Sequence, residues 1–449
     1  MDRSVNTILA PLRELGEYED ILRQLNTQQG KVSVGGCVDS QKLHMIYGLS
    51  GDYDVKLIVT YSDMKAKELL DDCKLYCKES YYFPAKDLIF YQADIHGNQL
   101  TKERVAVLRK LLEGEPITIV TTFSALMAHQ LPLSVWKENV IEIAQGGIAE
   151  EAAIARKLVE MGYEKNYQVE SPGQFSIRGG IVDIFDLTRE NPVRIELWGD
   201  EVESIRSFDI ESQRSIENMT QVSIYPATEL ILSKKALEDG LARMEKDCKK
   251  SAAFFREETK PEEAHRLEQS VAELKEQVTQ FQSFVNLESY IGYFYEETQS
   301  LIDFVAGRKL CICLDEPARI EEHANAVELE FRESMSTRAQ KGYILPGQMD
   351  VLYGAKEIYA RLEKNRLLAL STMEYKGFPV KFANRYTVNA RNVSSYNNSF
   401  PELVKDLNHY KKNGYRVLLV SASATRAKRL ATDLMDEGLN AFYSDNSQR

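Results

Sequence analysis

The sequence predicts an α/β protein: a mostly parallel sheet covered by helices, a small β-rich insertion, and a further α/β unit. Three observations predict it. Strand and helix signals alternate from the N-terminus to about residue 138, the pattern of a parallel sheet with helices on both faces. From about 139 to 228 the chain changes to hairpin-sized β-runs separated by turn residues. The strand–helix alternation then resumes around "KLCICLDEP" and again in the final block.

In the first block, 1–138, "KVSVGG" reads as a short strand and "DSQKLHMIYGLSG" as the helix that follows it. "VKLIVTYS" is a strand of the buried type, and "DMKAKELLDDCKLYCKE" is a helix with Asp63 as its expected N-cap. Leu69, Leu70, Cys73 and Tyr76 supply the apolar stripe of that helix. "TKERVAVLRKLLEGE" then reads as a helix and "ITIVTT" as a strand. In the second block, 139–228, the helix "AEEAAIARKLVEMGY" precedes β-sequence. "VRIELWGDEVESIRSFD" alternates strictly on both sides of Gly199-Asp200, which predicts an antiparallel hairpin. The third block, 229–367, carries the charged helix "PEEAHRLEQSVAELKEQVTQFQSFV", whose Leu267, Val271, Leu274 and Val278 form a stripe expected to pack on the domain. The fourth, 368–449, reads as helix "SFPELVKDLNHYKKNG", strand "YRVLLVSAS" and helix "ATRAKRLATDLMDEG". The chain stops at "YSDNSQR", soon after another strand signal, so it is expected to be the front part of something longer.

Composition narrows the function classes. With 56 basic and 68 acidic residues the net charge is −12, so the chain as a whole repels a phosphate backbone and a protein partner is expected. The basic Lys411, Lys412, Arg426 and Lys428 read as a solvated helical face; a DNA-binding scaffold is the rival reading. No apolar run approaches the roughly 18 residues that span a bilayer, and the N-terminus lacks a signal-peptide core. Six cysteines show neither the density of a secreted scaffold nor the C-x-x-C pairs of a zinc site. No membrane, no metal and a reducing cytoplasm are expected.

One motif invites a nucleotide. A phosphate loop reads G-x-x-x-x-G-K-[ST]: its second glycine lets backbone amides wrap phosphate, its lysine neutralises charge, and its hydroxyl holds Mg²⁺. After "KVSVG" this chain has Gly36-Cys37-Val38-Asp39-Ser40-Gln41-Lys42-Leu43. The first glycine and the lysine are in register, but Gln41 replaces the second glycine and Leu43 the magnesium hydroxyl. Asp315-Glu316 at the end of "CICLDEP" stands like the acidic pair that orients metal and water. The alternative for that pair is a strand end and an N-cap, with Pro317 at the first helical position. The whole reads as a degenerate nucleotide site with no catalytic residue and no cofactor.

A second constellation points to a partner. In "VRIELW", alternation sets Ile195 and Leu197 on one face and Arg194, Glu196 and Trp198 on the other. Arginine beside tryptophan on a rigid strand is the composition of a binding hot spot, and equally that of a plain solvated sheet face. Arg178, just before Gly179-Gly180 in "FSIRGG", joins the same surface, with the glycines letting its strand bend.

These stretches carry a resemblance. "SPGQFSIRGGIVDIF" with "RIELWGDEVESIRSFDIESQRS" is similar to the signature shared by the transcription-repair coupling factor family (Mfd) and the excinuclease component UvrB. "FPAKDLIFYQADIHGNQLTKERVAVLRKLLEGEPITIVTTFSALM" resembles the first domain of the coupling factors. The resemblance implies a degenerate helicase-like fold of the P-loop NTPase type. Its blocks correspond to domain 1a (1–138), an inserted domain 2 (139–228), domain 1b (229–367) and domain 3 (368–449). It further implies that domain 2 binds the damage-recognition protein UvrA, with Arg178, Arg194, Glu196 and Trp198 matching the partner-binding positions. UvrB has an intact phosphate loop and a DNA-inserting hairpin. Here the loop is "GCVDSQKL", and the segment after "FPAKDLIFYQADIHGNQ" passes almost directly into a helix. The expectation is therefore a non-catalytic adaptor, with a DNA-stimulated ATPase like UvrB as the alternative. ATP, Mg²⁺, RNA polymerase, double-stranded DNA and a masking C-terminal domain belong, by the resemblance, to an intact parent.

Overall fold

A computed structural model describes residues 8–86, 97–281 and 287–444, apart from 394, 398 and 422. Four strands open the chain: β1 (Lys31–Gly35), β2 (Val55–Thr60), β3 (Ser80–Phe83) and β4 (Ile117–Thr122). The next block contributes β5 (Ile141–Ala144), β6 (Glu164–Lys165), β7 (Gln174–Arg178), β8 (Ile181–Ile184), β9 (Val193–Trp198), β10 (Glu201–Phe208), β11 (Ser215–Met219) and β12 (Gln221–Ile224). Three more follow: β13 (Leu310–Asp315), β14 (Leu367–Leu370) and β15 (Asn384–Thr387).

The large sheet runs β15-β1-β14-β13-β2-β4-β3, and every pairing in it is parallel. Its central strands are almost wholly buried and mostly apolar because helices cover both faces. Along β13, Leu310, Ile312 and Leu314 enter one core while Cys311 and Cys313 enter the other. The helix Asp39–Leu49 and the helix Asp63–Cys73 pack on the cysteine face through Leu43, Ile46 and Leu69. The helix Gly97–Glu113 and the helix Ala355–Glu363 pack on the opposite face through Val105, Leu108 and Ile358. The N-cap of Asp63–Cys73 is Ser62, whose hydroxyl accepts the Lys65 amide; Asp63 lies one residue inside the helix.

The inserted block forms a six-stranded sheet in the order β11-β10-β9-β8-β7-β6, with a separate antiparallel pair β12-β5. Gly199-Asp200 closes the expected hairpin, with Trp198 facing Glu201. Gly179 and Gly180, at φ of 57° and 83°, make a two-residue turn between β7 and β8, with Arg178 facing Ile181. Two positive φ values match the right-handed twist of the strands, so the glycines close a hairpin and do not kink a continuing strand.

This block is held firmly against the large domain. Leu187 is buried in the main core, not in that of its own sheet. Arg109 of the Gly97–Glu113 helix donates to Thr188 Oγ1 at 2.6 Å and lies over the Tyr225 ring. Where the insertion rejoins the main domain, Glu229 accepts Arg104 Nε at 2.8 Å and pairs with Lys86 at 3.0 Å. Arg104 also donates to the Pro84 carbonyl and stacks over Phe83, 4.0 Å from the ring centre.

Beyond the insertion, the helix Lys234–Glu257, not apparent from the sequence, packs beside the helix Pro261–Phe281. Leu267, Val271 and Val278 are buried as the stripe predicted; residues 282–285 of the expected helix lie outside the described residues. The boundary expected at 367/368 falls within β14. β15, expected in a separate final unit, extends the large sheet beside β1. The helices Phe400–Lys412 and Ala424–Asp436 meet through Leu407 and Leu434. The strand expected at 415–423 does not form: Tyr415 to Val420 are exposed, and no strand pairs with them among the described residues.

Candidate partner-binding platform and degenerate nucleotide site

The strand–helix connection after β1 lies at the C-terminal edge of the parallel sheet, where α/β folds hold ligands. β13 ends at the same edge two strands away, and this brings Lys42 to Asp315. Both side chains are 2% exposed, and Lys42 Nζ donates to Asp315 Oδ1 at 2.9 Å. It also reaches Glu316 Oε1 at 2.6 Å and Asp39 Oδ1 at 3.0 Å, so all three ammonium hydrogens have carboxylate acceptors. Thr60 donates to the other Asp315 oxygen, and the Thr372 amide and hydroxyl donate to Glu316 Oε1. Burial alone lowers the pKa of Lys42; Asp315, Glu316 and Asp39 more than offset it and hold the ammonium above its ordinary value. Glu316 moves the opposite way: burial raises it, and Lys42 with Thr372 brings it below the usual range.

The rest of the loop is also engaged internally. The Cys37 amide donates to the Ser371 carbonyl at 3.0 Å. Gly36 lies against the chain leaving β15, so close that a Cβ there would sit 2.1 Å from the Val388 carbonyl oxygen. Gln41, in place of the second glycine, has a buried Oε1 with no hydrogen-bond partner among the described residues. Leu43 is in the core. Glu316 occupies the N-cap position before Pro317 as the alternative reading expected, in a left-handed conformation (φ 57°), but its carboxylate turns back to Lys42 instead of capping the helix.

The second constellation lies on the outer face of the six-stranded sheet. Val182, Ile184, Val193 and Ile195 face the core, which puts Asp183 and Arg194 on the other side, directly opposite each other in register. Arg194 Nε and Nη2 donate to Asp183 Oδ1 and Oδ2 at 2.7 and 2.8 Å. Arg178 Nη2 reaches the same Oδ2 at 3.0 Å. Arg194 donates as well to Gln213 Oε1 and lies 4.2 Å from the Phe208 ring centre. The hydrogen bonds to Asp183 hold the Arg194 guanidinium yet more firmly protonated than usual.

The four residues singled out from the sequence share this face, but not equally. Arg178 is 36% exposed, whereas Arg194 is only 13% exposed. Glu196 is paired with Arg206 and accepts Ser204 Oγ at 2.7 Å. Trp198 is 79% exposed at the hairpin end. Sequence reasoning missed Asp183, Arg206 and the exposed Tyr167, whose ring lies 5.9 Å from the Arg178 guanidinium carbon. The period-two pattern of "IVDI" was the available signal: it places Asp183 in phase with the arginine face.

An α/β domain built on a parallel sheet, with an arginine-bearing β-insertion, is the class of protein these features define. Residues 141–230 match the family model of the UvrB interaction domain. Along most of its length the chain is similar to transcription-repair-coupling factors. It is 30% identical over 440 residues to that of Bacillus subtilis strain 168, covering 97% of this chain and 37% of the relative. The Staphylococcus epidermidis RP62A factor is 28% identical over 85% of the chain, and the Staphylococcus aureus MRSA252 factor 26% over 96%. The chain spans about a third of the length of these relatives. No helix among the described residues is long and apolar enough to cross a membrane.

Proposed function

We propose that this chain is a cytoplasmic docking module of transcription-coupled repair: it binds UvrA through the inserted sheet and performs no catalysis itself. The observation that carries this reading is the coincidence of the arginine platform with the residues matching the UvrB interaction domain. The engaged Lys42 supports the non-catalytic half, because a phosphate would have to displace three carboxylates from its ammonium. In a longer parent, the module would bring UvrA to RNA polymerase stalled on DNA, while ATP and Mg²⁺ would serve motor domains outside these residues.

The test is titration calorimetry of this chain against purified UvrA. Arg178→Ala weakens binding by about 1–3 kcal/mol, as a charged hot spot does, while the thermal unfolding midpoint is retained. Equal affinity of the variant and the unsubstituted chain removes the platform from the reading.

A further inference from the structure

We infer that Asp183 is a positioning residue of the platform, which fixes the guanidiniums of Arg178 and Arg194 for a carboxylate of the partner. This rests on the docking reading and assigns roles within it. Asp183 projects from the outer face, yet it is 1% exposed because the two arginines cover it. Its two oxygens accept three guanidinium N–H groups, two from Arg194 and one from Arg178. Arg194 is further fixed by Gln213 and by the Phe208 ring. Arg178 uses only Nη2 among the described hydrogen bonds, and its side chain is part-exposed near the Tyr167 ring.

On this face Arg178, Arg194 and Arg206 stand beside Asp183, Glu196 and Glu201, and Arg178 is the most exposed of the three arginines. A donor fork held at fixed orientation matches a carboxylate with two parallel hydrogen bonds. A free arginine would lose its rotamer freedom on binding; a clamped one has lost it already. The effect of removing Asp183 therefore has a distinctive sign. Asp183→Asn deletes a negative charge from this face, which by long-range attraction alone would tighten binding to an acidic partner. If Asp183 positions Arg178, the same change weakens binding.

The experiment is a double-mutant cycle on UvrA binding, with cooperative unfolding checked for each variant. Asp183→Asn is expected to weaken binding roughly five- to thirtyfold, the equivalent of ordering one or two arginine side chains, and to add less in the Arg178→Ala background. Unchanged or tighter binding by Asp183→Asn, or an equal loss in both backgrounds, overturns the assignment. If Arg178→Ala itself binds normally, the docking reading fails instead. Should Asp183→Asn not fold, side-chain ¹⁵Nε relaxation of the unsubstituted chain decides: Arg178 as mobile as the exposed Arg429 overturns the proposal, and a rigid Arg178 supports it.

Discussion

Lys42 Nζ donates to Asp315 Oδ1 at 2.9 Å, between two side chains almost fully removed from water. The two residues lie 273 positions apart in sequence, so this contact ties the connection after β1 to the end of β13. A buried pair of this kind is weak evidence for net stability, but removing one partner strands the other. Lys42→Met would leave Asp315 and Glu316 side by side without the ammonium that bridges them. We expect a loss of about 3–5 kcal/mol in urea unfolding. An unchanged midpoint would show that the carboxylates take up protons or water without strain.

The same arrangement predicts that restoring the missing motif residues does not restore a nucleotide site. Gln41→Gly with Leu43→Thr recreates the loop pattern in sequence. It leaves Lys42 on its carboxylates, the Cys37 amide on Ser371, and the Val388 carbonyl against Gly36. Calorimetry of the unsubstituted chain and of the double variant with Mg-ATP is expected to give no binding heat, and a phosphate-release assay no turnover. Saturable heat from the unsubstituted chain would favour the ATPase alternative.

Gly179 and Gly180 are predicted to differ in what they tolerate. Both have positive φ, so alanine at either is strained by about 1–2 kcal/mol. A Cβ at Gly179 meets nothing within 4 Å among the described residues, whereas one at Gly180 lies 2.9 Å from the Leu197 carbonyl oxygen. The Gly180 carbonyl also accepts the Leu197 amide at 2.7 Å, so β9 cannot simply retreat. Thermal melts should rank Gly180→Ala as the more damaging. Gly179→Asn should be nearly neutral, since asparagine tolerates the left-handed region. Equal effects of the two alanines would contradict the close approach to β9.

Glu229 supplies a pH test. Burial raises its pKa, but Arg104 and Lys86 more than offset this and hold it below its ordinary value of 4.5. A lowered carboxylate contributes stability that is present above about pH 4.5 and is lost as the pH falls through the lowered value. Glu229→Gln should thus be destabilised by about 3 kcal/mol at neutral pH, because the buried Arg104 loses its partner. The gap to the unsubstituted chain should narrow steadily in acid. A constant gap between about pH 7 and about pH 3.5 would assign the loss to shape and not to charge.

Much of this fold was legible because periodicity reports burial directly. The fully buried β4 and β13 read as strands, and "VRIELWGDEVESIRSF" showed both its faces and its turn. What the pattern could not convey is what a neighbouring strand lays over a residue. Alternation put Arg194 on the outer face, but only the register with Asp183 shows that its fork is occupied. Lys42 likewise kept the position of a phosphate-binding lysine while two of its three carboxylate partners, Asp315 and Glu316, arrived from the end of distant β13. The final block failed for a related reason. "YRVLLVSAS" has strand composition, yet a strand needs a lateral hydrogen-bonding partner, and none lies beside it among the described residues.

Leu187 sits in the core of the large domain although it belongs to the inserted one, and Arg109 grips the neighbouring Thr188. The insertion is in this respect a bracket and not a pendant on a string. A molecule seized at the arginine face would pull against the helix Gly97–Glu113 and the sheet beneath it. Force, orientation and any misalignment would pass into the body of the protein instead of dissipating at a swivel.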